Sequence, residues 1–345
     1  MDFLGIILWP LRWVIEMILV GWHAVLTFLG MQVDGGLTWV LSIVGVVVIV
    51  RSALIPLFVR QIKSQRKMME VAPEMKKIQD KYRGKKDQLS REAMSRETMA
   101  LYKKHGTTPV SSCLPLLVQM PVFFSLYYTL YDIKNHAAQG IGGVGLLNAE
   151  LTEQFNNAKL FNIAPLSETL RDAIATKPEG WVGTTVILVI MVALMIGTQF
   201  FTQLQIVSKN LSPEAKTGQA YQMQRIMIYV IPFAMIFSGV FFPLGVVSYW
   251  FFNNLWTMVQ QFLVIREMPT PGSDAAKARE ERLARKGKAL NTQGKVVTIA
   301  EYEAEQQELL RKAEEERAKK AKRQQPMSAK RAKKQKGSGD PAAAG

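Results

Sequence analysis

Arg51 stands inside a predominantly apolar run, residues 37–59, that contains no acidic residue to pair with it. As a helix this run would be about 35 Å long, enough to cross roughly 30 Å of hydrocarbon. Arg51 would then lie about 5 Å from its midpoint, where an arginine costs about 2.5–3.5 kcal/mol. A charge kept at that cost points to chemistry: it can draw an anionic group into the membrane. The competing reading is an arginine that snorkels to the nearer interface and does nothing more.

Uncharged polar residues recur at helical spacing in other apolar stretches. In 244–265, Trp250, Asn253, Asn254, Thr257, Gln260 and Gln261 share an arc, opposite Phe251, Phe252, Leu255, Val259 and Phe262. The stretch 181–206 carries Thr198, Thr202 and Gln205 on one side, and 108–131 carries Ser112 and Gln119 two turns apart, flanked by Pro115 and Pro121. One such stripe can simply hold helices together in lipid. Three stripes and an unpaired arginine together suggest a hydrated groove.

Other chemistry has little to stand on. His23, His105 and His136 are scattered and have neither metal nor triad spacing. The glycines at 140, 142, 143 and 145 lack a following Lys-Ser/Thr and read as a flexible turn. Cys113 is the single cysteine, so an internal disulfide or a cysteine metal cluster is ruled out; it reads as a small residue within a span. No acidic residue occurs in any of the five apolar stretches, which argues against a proton-coupled carrier. Neither an enzyme nor a cofactor or metal is expected.

The elements that must position these residues follow from the segregation of apolar and basic material. Hydrophobic residues make up 48% of the 345, yet the formal net charge is +15. The stretches 37–59, 108–131, 181–206, 226–242 and 244–265 read as five spans. Lys plus Arg outnumber Asp plus Glu by 14 to 6 over 60–104 and by 20 to 12 from 266 onward, whereas 132–181 has 4 against 6. The positive-inside rule then puts the first two segments and the 207–225 connection in the cytoplasm, with the 132–181 loop and the N-terminus outside. Residues 1–31 carry Arg12, Glu16, His23 and Thr27 on one narrow stripe, which suits an amphipathic helix in the outer interface with Trp9, Trp13 and Trp22 near the headgroups; a sixth span is the competing reading.

Residues 60–107 read as a cytoplasmic coiled helical hairpin. Pro73 opens its first arm, a turn falls at 83–85, and narrow apolar stripes line both arms. The segment 108–268 holds spans two to five, and 269–345 is a basic, largely disordered tail that opens on a Pro/Gly/Ser/Asp linker. Lys319, Lys320, Lys322, Arg323, Lys330, Arg331, Lys333, Lys334 and Lys336 form runs suited to phosphate backbones or anionic lipid.

Three separated motifs, RSALIPLFVRQIKSQRKM, SSCLPLLVQMPVFFSLYYTL and PLGVVSYWFFNNLWTMVQQFLV, resemble the YidC/Oxa/Alb family of membrane protein insertases in its five-span, Gram-positive form. The resemblance spans residues 1–268, and the long tail is similar to that of actinobacterial members. It implies an all-α integral membrane protein, five helices around a hydrophilic groove open to cytosol and lipid. Arg51 matches the groove arginine, Gln119 the second-span glutamine and Trp250 the last-span aromatic, with Trp256 as the alternative. It implies a multi-pass protein of the bacterial cell membrane that receives nascent membrane proteins and releases them into the bilayer, alone or with the Sec translocon, and a basic tail that meets ribosomal RNA. A channel or transporter with a polar pathway is the alternative function.

The energetics suit such a role. Carrying an acidic residue into the bilayer costs about 3 kcal/mol. At about 6 Å and an effective dielectric of about 20, an arginine returns roughly 2.8 kcal/mol.

Overall fold

The computed structural model describes residues 3–85, 87–106, 114–211, 219–292 and 294–323. Helix dominates: α1 (Phe3–Phe28), α2 (Gly36–Ala53), α3 (Ile55–Lys81), α4 (Gln88–Lys104), α5 (Leu114–Tyr131), α6 (Ile133–Gln139) and α7 (Ala149–Asn157) come first. After α7 a two-residue strand β1 (Lys159–Leu160) pairs antiparallel with β2 (Ala164–Pro165). Then follow α8 (Leu170–Thr176), α9 (Trp181–Lys209), α10 (Gln219–Phe241), α11 (Leu244–Glu267) and α12 (Asp274–Ala284). Beyond α12, β3 (Lys288–Leu290) pairs with β4 (Val296–Thr298), and α13 (Ile299–Arg323) closes the described chain. Among the described residues α1, α2 and α9 are long and apolar enough to cross a membrane, and α10 holds a shorter apolar helix. The protein is an all-α integral membrane protein.

The run 37–59 is not one helix. Leu54 separates α2 from α3, and Pro56 lies in the first turn of α3. A proline there has no N–H to bond the carbonyl four residues back and its ring crowds that carbonyl, so the helix divides. The consequence for Arg51 is direct: it falls in the last turn of α2, where the negative end of the helix dipole stabilises a cation.

Pro73 does not open the hairpin arm. Helix α3 runs through position 73 and is about 40 Å long at 1.5 Å per residue. A turn at 82–84 follows α3, and Asp87 caps α4 by accepting the Ser90 N–H at 2.8 Å. Lys81 and Tyr82 both donate to Glu97 across the arms, and Lys104 and His105 meet Glu74 at 3.6 and 3.3 Å. The hydrogen bonds from Lys81 and then Tyr82 hold Glu97 below the usual carboxylate range. Glu74 is also lowered: its slight desolvation works the other way, but Lys104 and His105 outweigh it. A lowered carboxylate contributes stability above its unfolded value, about 4.3 for Glu, and loses it as pH falls through the folded value. The distance distribution between spin labels on the two arms, in a Cys113→Ser background, is therefore expected to be narrow at neutral pH and to broaden below about pH 4.3. Glu97→Gln should broaden it at neutral pH.

The main core forms where α1, α2, α5 and α11 meet the 133–180 connection. Trp39, Ile43, Leu126, Leu130, Phe155 and Leu166 are among its fully buried members. Trp39 stacks on His23 at 3.9 Å and meets Phe155 edge-on at 5.2 Å. Gly45 lets α1 approach α2, since a Cβ there would stand 2.4 Å from the Trp22 ring. The first N–H groups of α11, which have no partner in their own helix, go to the connection: Leu244 donates to Glu168 O and Gly245 to Leu166 O, both at 2.9 Å. That contact fixes the start of α11 and hence the register of its polar residues.

The polar stripe of α1 turns toward protein. Arg12 pairs with Asp132 at 3.2 Å, His23 Nε2 bonds Val33 O at 2.8 Å, and Thr27 donates to its own helix. Glu16, fully buried, accepts the backbone N–H groups of Val144 and Gly145 at 3.1 and 2.7 Å. The glycine-rich piece read as a flexible turn is thus a fitted cradle for a carboxylate. A Cβ at Gly143 would lie 2.5 Å from Glu16 Oε1, so only glycine admits that approach.

The chain divides into two compact units, residues 1–277 and 278–345. Of the tail expected from composition to be largely disordered, residues 324–345 lie outside the described residues. Its described part holds the β3–β4 hairpin, between whose strands Asn291 O accepts the Gly294 N–H at 2.8 Å, followed by α13. Glu305 accepts the Thr292 N–H at 3.3 Å, and Glu301 accepts the Thr298 N–H at 2.9 Å, so hairpin and helix share contacts that a charge count does not reveal.

A candidate groove around Arg51

Tyr249, Asn253 and Thr257 stand one turn apart on α11, and the helical repeat aligns them on one face. Arg51, 7% exposed, reaches that face from α2. Its Nε donates to Asn253 Oδ1 at 2.8 Å and its Nη2 to Thr257 Oγ1 at 3.1 Å. Thr257 in turn donates to Asn253 O at 2.8 Å, which orients its lone pairs toward the guanidinium. Phe58 covers the other side, its ring centre 5.2 Å from the guanidinium carbon. Among the described residues no carboxylate lies within 4 Å of Arg51. Two neutral acceptors take two of its five N–H donors, and the charge itself stays uncompensated.

One turn toward the start of α11, Tyr249 accepts a hydrogen bond from Gln119 Nε2 at 3.0 Å, which draws α5 into the same ladder. Gln119 Oε1 is buried without a partner among the described residues. Tyr249 escaped the sequence reading because it counts as an apolar aromatic there, although its spacing to Asn253 and Thr257 was the available signal.

The remaining candidates divide. Asn254, 4% exposed, turns to α9 and donates to Met195 O at 3.1 Å, so it joins two helices and does not face Arg51. Thr198 and Thr202 give their hydroxyl protons to carbonyls of their own helix, Leu194 and Met195 for the first and Thr198 for the second. Trp250 lies among aromatics, 5.1 Å from Phe123 and 5.9 Å from Phe242, against the cluster of Val192, Met195, Met235 and Val247. Trp256 packs on the main core. Gln260, half-buried, makes no hydrogen bond among the described residues. Lys319 is exposed on α13; Lys320, Lys322 and Arg323 continue that helix, and Lys330, Arg331, Lys333, Lys334 and Lys336 lie outside the described residues, as do Ser112 and Cys113.

Comparison with known proteins places the chain in a family. Residues 30–271, which include the whole Arg51 ladder, match the family model described as 60Kd inner membrane protein. The chain belongs to the YidC/Oxa/Alb family. Proteins named membrane protein insertase YidC are similar over most of it. The one from Tropheryma whipplei (strain Twist) is 39% identical over 285 residues, covering 82% of this chain and 91% of the relative. The one from Bifidobacterium longum is 38% identical over 329 residues, 94% of each chain. The one from Streptomyces avermitilis is 41% identical over 279 residues, 79% of this chain and 61% of the relative. As a YidC/Oxa/Alb member the chain is a multi-pass protein of a bacterial membrane.

Proposed function

We propose that this chain is a membrane protein insertase and chaperone that receives hydrophobic segments of nascent membrane proteins in the polar groove around Arg51 and releases them into the bilayer, alone or with the Sec translocon. The observation that carries the reading is a buried arginine whose partners, Asn253 and Thr257, are both neutral. A guanidinium so placed is held by two hydrogen bonds but has no counter-ion, and an acidic residue of an arriving segment supplies one. Gln119 Oε1 adds to this: an unpaired buried acceptor costs about 1–3 kcal/mol, and a segment bringing a donor relieves that cost. The segment's apolar helix then leaves toward lipid, and burial of its side chains drives the exchange without nucleotide. The direct test reconstitutes the purified chain in liposomes and follows an added membrane protein into a protease-protected state with no ion gradient. Failure of insertion while a small solute crosses would replace this reading with a channel.

Charge bias supports an outside N-terminus and a cytoplasmic C-terminus. Helix α1 serves best as an outer interfacial helix: Arg12 meets the C-terminal end of α5, and His23 meets Trp39 near the N-terminal end of α2. Those two ends are the ones the 133–180 connection covers. A helix running antiparallel along α2 would separate Arg12 from His23 by about 16 Å in depth. The α3–α4 arm is the cytoplasmic receiver of emerging segments.

The basic runs from Lys319 to Lys336 act as the ribosomal RNA contact. Deleting 319–345 is expected to reduce co-sedimentation with ribosomes, with the full chain's binding falling steeply as salt rises. Equal co-sedimentation of the truncated and full chains at low and moderate salt would remove the tail from this role.

A further inference from the structure

A cavity of about 360 Å³ opens where α5 and α10 end, and it shares no residue with the Arg51 ladder. One wall is aromatic and comes from the helix ends, Tyr127 and Tyr131 of α5 and Phe241 of α10; the other is polar and comes from α6, α8 and the strap before α8. Its two cations differ. Lys134 lies between Glu168 at 3.1 Å and Asp172 at 3.5 Å, so two carboxylates share its one charge. Arg171 has no carboxylate within 4 Å among the described residues, and its guanidinium lies 5.8 Å from the Phe241 ring centre.

The hydrogen-bond inventory points the same way. Tyr127, Tyr131 and Asn135 each have hydrogens that no protein acceptor takes among the described residues, while Asp172, the lining carboxylate, is held by Lys134. Spare donors and a guanidinium with no carboxylate in contact among the described residues suit a ligand made of acceptors whose negative charge the guanidinium meets directly. A phosphodiester is such a group, and arginine's planar fork matches its oxygens in pairs. The volume is at the small end of ligand sites, which run from about 300 to 1,000 Å³, and fits a headgroup better than an acyl chain. Tyr131 and Phe241, 42% and 49% exposed, form a rim at the ends of α5 and α10, which the charge-bias topology puts where those helices leave the hydrocarbon. That level selects a lipid over a soluble anion as the source. We propose that this cavity binds the phosphodiester headgroup of a phospholipid, with Arg171 as its cation.

The test uses the full chain in neutral detergent with a photoactivatable phosphatidylglycerol, and adducts are mapped by peptide. Adducts are expected on the peptides spanning 127–135 and 167–172. Unlabelled phosphatidylglycerol should compete for them, whereas the same concentration of inorganic phosphate should not. Arg171→Ala should cut these adducts by about tenfold, the equivalent of one lost charge-assisted contact. Because Arg171 is exposed and pairs with no carboxylate among the described residues, this variant should melt as the wild type does. Tyr131→Phe, which keeps the ring and removes one donor, should cut them by a smaller factor. Unchanged adducts in both variants would overturn the site, and competition by inorganic phosphate alone would overturn the lipid as its ligand.

Discussion

Arg51→Ala is expected to slow insertion of a substrate whose translocated end carries an acidic residue by about 100-fold. That figure is the roughly 2.8 kcal/mol of attraction at about 6 Å, converted at about 1.4 kcal/mol per tenfold. Arg51→Lys should retain most of the activity. Lysine keeps the charge and the favourable place at the C-terminal end of α2, and it loses only the forked pairing with Asn253 and Thr257, both of which are neutral. A substrate with an uncharged translocated end should be nearly indifferent to both variants. The measurement is the rate at which the added substrate becomes protease-protected in liposomes. Equal rates for wild type, Lys and Ala on the acidic substrate would end the electrostatic role.

Asn253→Asp should lose as much insertion as Arg51→Ala while leaving the arginine in place. Asn253 Oδ1 stands 2.8 Å from Arg51 Nε, so an aspartate there would supply the counter-ion that the fold withholds. An acidic substrate would then approach a paired dipole instead of a net charge, and most of the roughly 2.8 kcal/mol would vanish. The fold should not suffer: replacing one neutral acceptor by a charged one strengthens the hydrogen bond it makes. Asn253→Ala is the discriminating companion, because it removes an acceptor and leaves the charge bare, and it should insert the acidic substrate far better than Asn253→Asp. If Asp and Ala behave alike, position 253 matters for packing and the uncompensated charge is not what the groove supplies.

These two predictions divide cleanly between what composition reveals and what packing reveals. Within its own run Arg51 has no acidic neighbour, and no acidic residue occurs in the other apolar stretches, so the absence of a nearby counter-ion is legible by inspection. Helical periodicity likewise puts Asn253 and Thr257 on one face of α11. The same periodicity grouped Asn254 with them, and the structure separates it: one residue further is about 100° of rotation, enough to turn its amide from α2 to the Met195 carbonyl of α9. Trp250 shows the same effect, since it falls within the polar arc yet packs on Phe123 and Phe242. For Thr198 and Thr202 a stripe said nothing about the acceptor, and the nearest carbonyls, those of their own helix, won.

By itself, the sequence determined the helical, membrane-embedded character of the chain, the charged hairpin between apolar segments, the charge at position 51 and the polar face opposite it. These are local quantities: apolar length, charge and a repeat of 3.6 residues are written in neighbouring positions. Only the tertiary structure decided that Arg51 bonds residues 202 and 206 positions away, that Gln119 of α5 donates to Tyr249 of α11, and that a glycine-rich loop closes on the carboxylate of Glu16. Periodicity fixes which side chains share a face but leaves open which helix lies opposite and at what axial register. That register comes from contacts such as Gly45 beneath Trp22 and the first N–H groups of α11 on the Glu168 and Leu166 carbonyls, where close packing admits one arrangement.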